Sequence, residues 1–189
     1  MSLIANAQKP LTNDEVQQLF QLPEAQGKSP ALSTDTKGLI LIFTCNHCPF
    51  ARLYTSRFNA LQEKYAPQGV PVVAVNSMDT MIYEDETFPY MQEKASAESY
   101  AFAYLQDAGQ HWGRRLGAQS TPSAFVLWKS PDGWRVRYFG SIDDNGEAPE
   151  KATPFVGNAV AELLKGKPVT RPQTKALGCA IEYSRKKRP

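Results

Sequence analysis

The feature that most constrains this fold is a short apolar run that leads directly into a pair of cysteines. Residues 39–43 are apolar at every position, and after Thr44 they are followed by a Cys-x-x-Cys formed by Cys45 and Cys48. A short, fully apolar run is typical of a strand buried on both faces, as in a parallel sheet. Residues 50–65 then repeat apolar side chains at helical spacing. The pattern therefore predicts that the cysteines lie between a buried strand and a helix.

The rest of the chain continues an α/β pattern. Residues 70–75 form a second apolar run, and strand, helix and strand in this order predict a right-handed βαβ unit. Residues 123–129 and 134–139 predict two more strands, joined as an antiparallel hairpin by the tight-turn sequence Pro131-Asp132-Gly133. The remaining pattern predicts a helix opened by Asn13 or Asp14, a helix over 81–95 interrupted by Pro89, an edge piece over 101–105, and helices over 110–116 and 153–164.

Length and composition favour one domain. The chain has 189 residues, of which 42% are hydrophobic, which is enough for a packed core and excludes global disorder. The net charge is +2 and four of the cations lie at 185–188, so the body is nearly neutral and we expect no nucleic-acid surface. No apolar run approaches the about 20 residues of a membrane-spanning helix. The predicted domain covers 1–189, with a flexible N-terminus over about 1–10 and a C-terminal tail over about 168–189.

The cysteine count and the N-terminus bear on the cellular compartment. Three cysteines are too few for a disulfide-stapled fold, because such folds are short and rich in cysteine. Ala5-Asn6-Ala7 has the small-x-small pattern that signal peptidase accepts. Two interpretations stay open: a remnant of a secretion signal, which would indicate a periplasmic or secreted protein, or the ordinary N-terminus of a cytoplasmic one.

The Cys-x-x-Cys is the motif that carries chemistry. A helix N-terminus presents unpaired N–H groups and about half an elementary positive charge, which together stabilise a thiolate. We expect Cys45 to be the exposed nucleophile with a lowered pKa, and Cys48, one turn further, to be the more buried resolving cysteine. His47 lies between them and is expected to favour the Cys45 thiolate when protonated, and so to tune the redox potential.

A metal site is the alternative to redox chemistry at this motif. Zinc is disfavoured, because two cysteines and one histidine within four residues do not easily complete a tetrahedral site, and His111 is the only other histidine. Soft Cu(I) suits two thiolates with His111, so a copper chaperone stays open as a non-enzymatic alternative. We assign no metal ligands, and no organic cofactor is expected, because two sulfurs carry both electrons of a disulfide exchange.

A second element precedes the strand predicted over residues 123–129. In Ser120-Thr121-Pro122-Ser123 the proline opens the strand, a position that suits a cis-proline, although an ordinary trans start is the alternative. Further along, Asp143 and Asp144 are adjacent acids in a turn sequence, and we assign them no catalytic role.

Residues from about 20 to 164 resemble the thioredoxin fold, and within it the redoxin group of peroxiredoxin-like (AhpC/TSA-type) proteins. The resemblance rests on Phe43-Thr44-Cys45-Asn46-His47-Cys48-Pro49, on Ile142-Asp143-Asp144-Asn145 and on Thr174-Lys175-Ala176-Leu177-Gly178-Cys179. It implies an α/β, thioredoxin-like fold, with a central mixed sheet flanked by helices and an N-terminal hairpin extension. It also implies that Cys45 is the nucleophile, that Cys48 resolves, and that Thr121-Pro122 is a cis-proline step that binds an extended substrate through backbone hydrogen bonds.

The chain departs from the patterns of that group at three points. Thr44 stands where thioredoxins have a tryptophan, and the strand before the motif lacks the buried acid that serves their resolving thiol. The position three before Cys48, where peroxiredoxins have a threonine, is Cys45. The activating arginine of peroxiredoxins has no secure match. The nearest candidates are Arg114 and Arg115, which we interpret as part of a solvated helix face. Dithiol chemistry is therefore favoured over peroxidase chemistry.

The sequence thus predicts a thiol–disulfide oxidoreductase that acts on protein thiols or disulfides and is recycled by a redox partner. A thiol peroxidase is the enzymatic alternative. Cys179 leaves two possibilities open. We favour a packed structural role, because Gly178 and Ile181 suggest that the tail docks on the body, and the other possibility is a second resolving cysteine.

Overall fold

The structure is a computed structural model that describes residues 9–28 and 32–184. The candidate signal remnant at residues 5–7 and the basic residues 185–188 lie outside the described residues. Across the described part of the chain, no helix combines the length and the apolar character needed to cross a membrane.

A mixed five-stranded sheet forms the centre of the fold. The strands, in chain order, are β1 (Gly38–Phe43), β2 (Val72–Asn76), β3 (Ala103–Gln106), β4 (Ser120–Thr121), β5 (Ser123–Ser130), β6 (Gly133–Gly140) and β7 (Cys179–Ala180). The central sheet has the order β3-β2-β1-β5-β6, and β4 pairs with β7 in a separate two-stranded sheet. β1, β2 and β3 run parallel, whereas β5 is antiparallel to both β1 and β6, so the predicted hairpin is confirmed.

Helices cover both faces of this sheet. They are α1 (Asn13–Leu19), α2 (Pro49–Arg52), α3 (Thr55–Tyr65), α4 (Phe88–Ala97), α5 (His111–Leu116) and α6 (Phe155–Leu164). Ile40 and Ile42 pack with residues of α3, α4 and α6, while Leu39 and Leu41 pack on the other face with residues of α1 and α5. Alternate side chains of β1 therefore enter two different cores, which explains why its sequence is apolar at every position.

Three local predictions need correction. The helix predicted over residues 50–65 is divided into α2 and α3, with a break at Leu53 and Tyr54. Pro89 is the second residue of α4 and does not interrupt it, because a proline in the first helical turn loses no backbone hydrogen bond. The N-cap of α1 is Thr12, whose hydroxyl accepts from the Glu15 N–H in a capping box, and not Asn13 or Asp14.

The N-terminal lead-in does not form its predicted hairpin within the described residues. Its contacts go to the edges of the central sheet instead: Leu11 forms an isolated bridge with Trp134 of β6, and Glu24 forms one with Leu105 of β3. Each bridge pairs the lead-in segment with an edge strand, so the segment covers part of both edges of the sheet.

Candidate functional site

Cys45 and Cys48 lie at the carboxyl end of β1, where the chain turns into α2. The Thr44 N–H still donates to the Val75 carbonyl at 3.0 Å, so the ladder with β2 ends one residue before Cys45. Cys48 is the N-cap of α2. Both cysteines are 0% exposed, so the expectation of an exposed Cys45 beside a more buried Cys48 is wrong. The loop is covered by side chains from two distant segments.

Thr121 and Pro122 form one of these covers. Their peptide bond is cis, as predicted. The Thr121 hydroxyl lies 3.0 Å from Cys45 Sγ, and the Thr121 carbonyl oxygen lies 3.2 Å from Cys48 Sγ, from which it accepts a hydrogen bond when Cys48 is protonated. The two cysteines are free, and each influences the pKa of the other. The structure thus brings Cys45, Cys48 and the cis-proline step together, while the binding of a substrate at this step stays a prediction.

Glu86 forms the other cover, and no sequence motif predicted its role. It lies in a 3₁₀ turn after β2 and is 0% exposed. Its carboxylate accepts from the Asn46 and His47 backbone N–H groups, each at 2.9 Å, and from the Asn76 side-chain amide at 2.6 Å. These loop N–H groups are therefore bound to Glu86. A buried acid is present after all, but it comes from a separate segment rather than from the strand before the motif.

The Glu86 position gave little signal in the sequence. It ends the acidic run Glu84-Asp85-Glu86, and such runs are typical of solvated turns. The carboxyl ends of neighbouring parallel strands meet at one edge of a sheet, so an acid after β2 can reach the loop after β1. That argument identifies the segment but does not say which of its three acids turns inward.

His47 is oriented by Glu86. Its Nδ1 lies 2.6 Å from a Glu86 carboxylate oxygen, and its ring stacks on Tyr83 with centroids 4.3 Å apart. Its ring nitrogen also lies within 4.8 Å of the Cys45 sulfur. The direct partner of the imidazole is therefore the carboxylate rather than the thiolate, and the redox-tuning role of His47 stays a prediction.

The surroundings of the two sulfurs divide them into a thiolate and a thiol. Hydrogen bonds from the Cys45 thiol, from Cys179 and from the Ala51 N–H lower the pKa of Cys48 to about 4. The pKa of Cys45 is raised by its hydrogen bond to Cys48, by burial and by the nearby Glu86 carboxylate. These directions favour Cys48 as the thiolate of the pair, whereas the sequence favoured Cys45. Cys48 occupies the N-cap of α2, and the Cys45 sulfur lies within 4.8 Å of a Glu86 carboxylate oxygen.

A third sulfur reaches the pair from the C-terminal tail. Strand β7 runs antiparallel to β4 and places Cys179 opposite Thr121. The neighbouring thiol and backbone N–H of Cys179 both help to lower the pKa of Cys48. Burial and this contact with Cys48 raise the pKa of Cys179 to about 11. Ile181, two residues on, is 6% exposed and belongs to the core, so the expected docking of the tail is confirmed.

The described residues contain one group whose donor atoms could hold a metal ion: Cys45, His47 and Glu86. His111 does not belong to this group, so the copper site that combined it with both cysteines has no support. The three donor atoms lie within 4.8 Å of one another. The carboxylate in this group already accepts several N–H groups, and a metal ion would have to displace those hydrogen bonds.

Arg114 and Arg115 make contacts away from the sulfurs. The Arg114 guanidinium lies over the Tyr183 ring, 4.6 Å from its centroid, and Arg115 pairs with Glu15 at 3.1 Å. Neither contact is with a cysteine. One arginine fastens the C-terminal tail and the other fastens α1 to α5.

Asp143 and Asp144 have structural partners. Asp143 is buried, accepts from the Tyr54 hydroxyl at 3.0 Å and forms an ion pair with Arg57 at 3.1 Å. Asp144 accepts from the Thr153 N–H at 2.7 Å. These contacts hold the loop before α6 against α3.

A cavity of about 740 Å³ lies beside the cis-proline step, between the sheet and the tail. Its walls are mainly apolar, and its polar lining includes Ser120, Ser123 and Lys175. The Ser123 hydroxyl is buried and has no hydrogen-bond partner among the described residues. The cavity therefore offers a partner both apolar surface and an unused hydroxyl.

Comparison with known proteins places these features in a family. The model of the AhpC/TSA family matches residues 13–147. No curated protein sequence matches the chain significantly.

Solved structures with the same fold include two close in overall shape. A hypothetical protein from Sinorhizobium meliloti 1021 is 33% identical, with a TM-score of 0.75 over 86% of this chain and 90% of that one. An uncharacterized conserved protein from Geobacillus kaustophilus is 27% identical, with a TM-score of 0.76 over 88% and 89%. A thioredoxin-like protein in its oxidized form is 18% identical, with a TM-score of 0.55 over 70% and 80%, a likeness of fold alone.

Proposed function

The chain belongs to the AhpC/TSA family, and we propose that it is a thiol–disulfide oxidoreductase whose redox-active pair is Cys45 and Cys48. The observation that carries the proposal is that both cysteines are fully buried and contact the same residue, with Cys45 Sγ 3.0 Å from the Thr121 hydroxyl and Cys48 Sγ 3.2 Å from the Thr121 carbonyl oxygen. A partner that forms a mixed disulfide with one sulfur meets the other at once, which favours its release. The two sulfurs carry both electrons, so the cycle requires no organic cofactor.

The pKa directions support a division of roles within the pair. The Cys48 thiolate attacks a disulfide of the partner, a Cys48–partner bond forms, and the second partner sulfur leaves as a thiolate. Cys45 then loses its proton and attacks the Cys48 sulfur, which closes the Cys45–Cys48 disulfide and releases the partner as a dithiol. The reverse sequence oxidises a partner dithiol. Cys48 therefore attacks and Cys45 resolves, the reverse of the order implied by resemblance to thioredoxins.

Glu86 and His47 are proposed as positioning residues. The carboxylate fixes the loop between the cysteines through the Asn46 and His47 N–H groups. It also raises the pKa of Cys45, which keeps the proton on the resolving thiol until Cys48 has reacted. The His47 imidazole contacts the Glu86 carboxylate directly, so His47 acts on Cys45 through Glu86.

The proposed substrates are protein thiols and disulfides, with a further redox partner that recycles the pair. Thr121 and Pro122 are the substrate-binding residues of this proposal, since an extended chain would pair with the backbone of β4. The apolar cavity beside Ser120 offers room for side chains of such a partner.

The reduction potential and the turnover of a model disulfide test the proposal. Wild-type protein equilibrated with glutathione should form the Cys45–Cys48 disulfide, and Cys45→Ser and Cys48→Ser should each abolish that bond. Cys179→Ser is the matched control, because it removes a cysteine outside the pair and should leave the Cys45–Cys48 bond intact. A protein that forms no Cys45–Cys48 disulfide at any glutathione ratio would not be an oxidoreductase of this type.

A thiol peroxidase is the second candidate, and the lowered pKa of Cys48 favours it. The Cys48 thiolate would attack a peroxide oxygen, become a sulfenic acid and release water or an alcohol. The Cys45 thiol would then displace water from this sulfenic acid to form the disulfide. Rapid peroxide turnover, with a sulfenic acid trapped on Cys48 in Cys45→Ser, would decide for the peroxidase.

A further inference from the structure

The C-terminal tail is fastened beside the site by contacts of the three residues that follow Ala180, the last residue of β7. The Ile181 N–H donates to the Gln119 carbonyl at 2.9 Å, and the Gln110 side-chain amide donates to the Glu182 carbonyl at 2.8 Å. The Tyr183 hydroxyl bonds to the Ala118 carbonyl. The tail therefore holds a defined position, with its strand paired to the strand that carries the cis-proline.

Cys179 lies at the centre of this arrangement. Gly178 makes the close approach possible, because a Cβ there would lie 2.0 Å from the Thr121 carbonyl oxygen. The pairing of β7 with β4 sets Cys179 opposite Thr121, and the Thr121 carbonyl oxygen lies 3.2 Å from the Cys48 sulfur, so Cys179 and Cys48 are neighbours across this strand. Disulfide exchange requires an attacking thiol next to a sulfur of the disulfide, and Cys179 meets this condition for Cys48.

We propose that Cys179 is a third member of the redox centre and receives the disulfide from the buried pair. The Cys179 thiolate attacks the Cys48 sulfur of the Cys45–Cys48 disulfide, a Cys48–Cys179 bond forms, and the Cys45–Cys48 bond breaks. Cys45 leaves as a thiolate and takes up the proton that Cys179 gave up. No electrons are gained or lost in this step. It rests on the proposed function, which supplies the oxidised pair.

The three sulfurs differ in solvent exposure, and this difference explains what the transfer to Cys179 would achieve. Cys45 and Cys48 are fully buried, whereas Cys179 is partly exposed. Transfer to Cys179 brings the disulfide to a sulfur that an external dithiol can attack. A recycling dithiol protein can then reduce the enzyme while β7 stays paired with β4. This assignment replaces the packed structural role that the sequence favoured for Cys179.

Peptide mapping of the full chain under non-reducing conditions tests the transfer. Trypsin releases Cys45 and Cys48 together in residues 38–52, and Cys179 alone in residues 176–185. A Cys45–Cys48 bond leaves the first peptide alone and lighter by two hydrogens, whereas a bond to Cys179 links the two peptides. Wild-type protein oxidised by glutathione and quenched in acid should contain both forms.

Two single variants identify which cysteine bonds to Cys179. Cys45→Ser should form the linked peptides readily, whereas Cys48→Ser should not. The effective concentration of Cys179 should be at least about tenfold higher for Cys48 than for Cys45. Circular dichroism of the reduced variants shows that both are folded. Equal linking in the two variants, or its absence from oxidised wild-type protein, would overturn the proposal. A Cys45–Cys48 bond without any link to Cys179 refutes only the transfer, whereas the absence of both bonds refutes the proposed function itself.

Discussion

Substitution of Gly178 by alanine is expected to lift the tail strand and raise the pKa of Cys48. The new Cβ would lie 2.0 Å from the Thr121 carbonyl oxygen and 2.7 Å from its carbon, and these backbone atoms cannot rotate away. Strand β7 must move, and Cys48 loses the thiol and the N–H donated by Cys179. Hydrogen bonds to a charged group contribute about 1.5–3 kcal/mol each, and 1.36 kcal/mol corresponds to one pH unit. Two lost bonds should raise the pKa of Cys48 from about 4 to about 6 or above.

The assay is the rate of alkylation by iodoacetamide as a function of pH, with the modified cysteine located by peptide mapping. Gly109→Ala is the matched control, because a Cβ there would meet no atom within 4 Å. The midpoint for Cys48 should move upward in Gly178→Ala and stay in place in the control. An unchanged midpoint in Gly178→Ala, with the tail shown by proteolysis to be displaced, would refute the assignment of Cys179 as a donor to the thiolate.

Three further predictions concern the residues around the pair. Because the pKa of Cys48 is lowered from 9.0 to about 4, its thiolate stabilises the folded state above pH 9, and this stability is lost as the pH falls towards 4; urea unfolding should show a steeper loss in wild-type protein than in Cys48→Ser. In the Cys48→Ser protein, the added substitution Glu86→Gln should lower the pKa of Cys45, because the facing carboxylate is removed; a thiolate titration that gives Cys45 the same midpoint with and without Glu86→Gln would contradict this. Asp143→Asn should lower the free energy of unfolding by about 1–3 kcal/mol through the loss of its buried pairing with Arg57, while the reduction potential stays unchanged.

The fold was predictable because its signals are local. The apolar run of β1 is buried throughout, and the turn Pro131-Asp132-Gly133 joins β5 to β6 as expected. The errors arose where a residue has two possible uses. Pro89 fits both the interior break of a helix and its first turn, and only the length of the preceding loop decides between them.

The site was predictable in its members but not in their chemistry. Cys45, Cys48 and Thr121 lie together, because the carboxyl end of β1 pairs with the first residue of β5, directly after Pro122. The electrostatics depend on Glu86 and Cys179, which approach from far along the chain. Local sequence indicates a helix N-terminus beside the motif, but it contains no information on a carboxylate that binds the same N–H groups. The sequence therefore predicted the lowered pKa for Cys45, whereas the structure favours it for Cys48.

The pairing of β7 with β4 sets a minimum affinity for any other polypeptide that is to bind at β4. The edge that another polypeptide would join is held by a strand of the same molecule, and a tethered segment competes at a local concentration of the order of millimolar. An extended partner must displace β7 before it can form backbone hydrogen bonds with β4. Weakly binding peptides therefore do not reach the dithiol. The partners that react are those that bind tightly enough to displace the tail, or those that attack the partly exposed Cys179 sulfur directly.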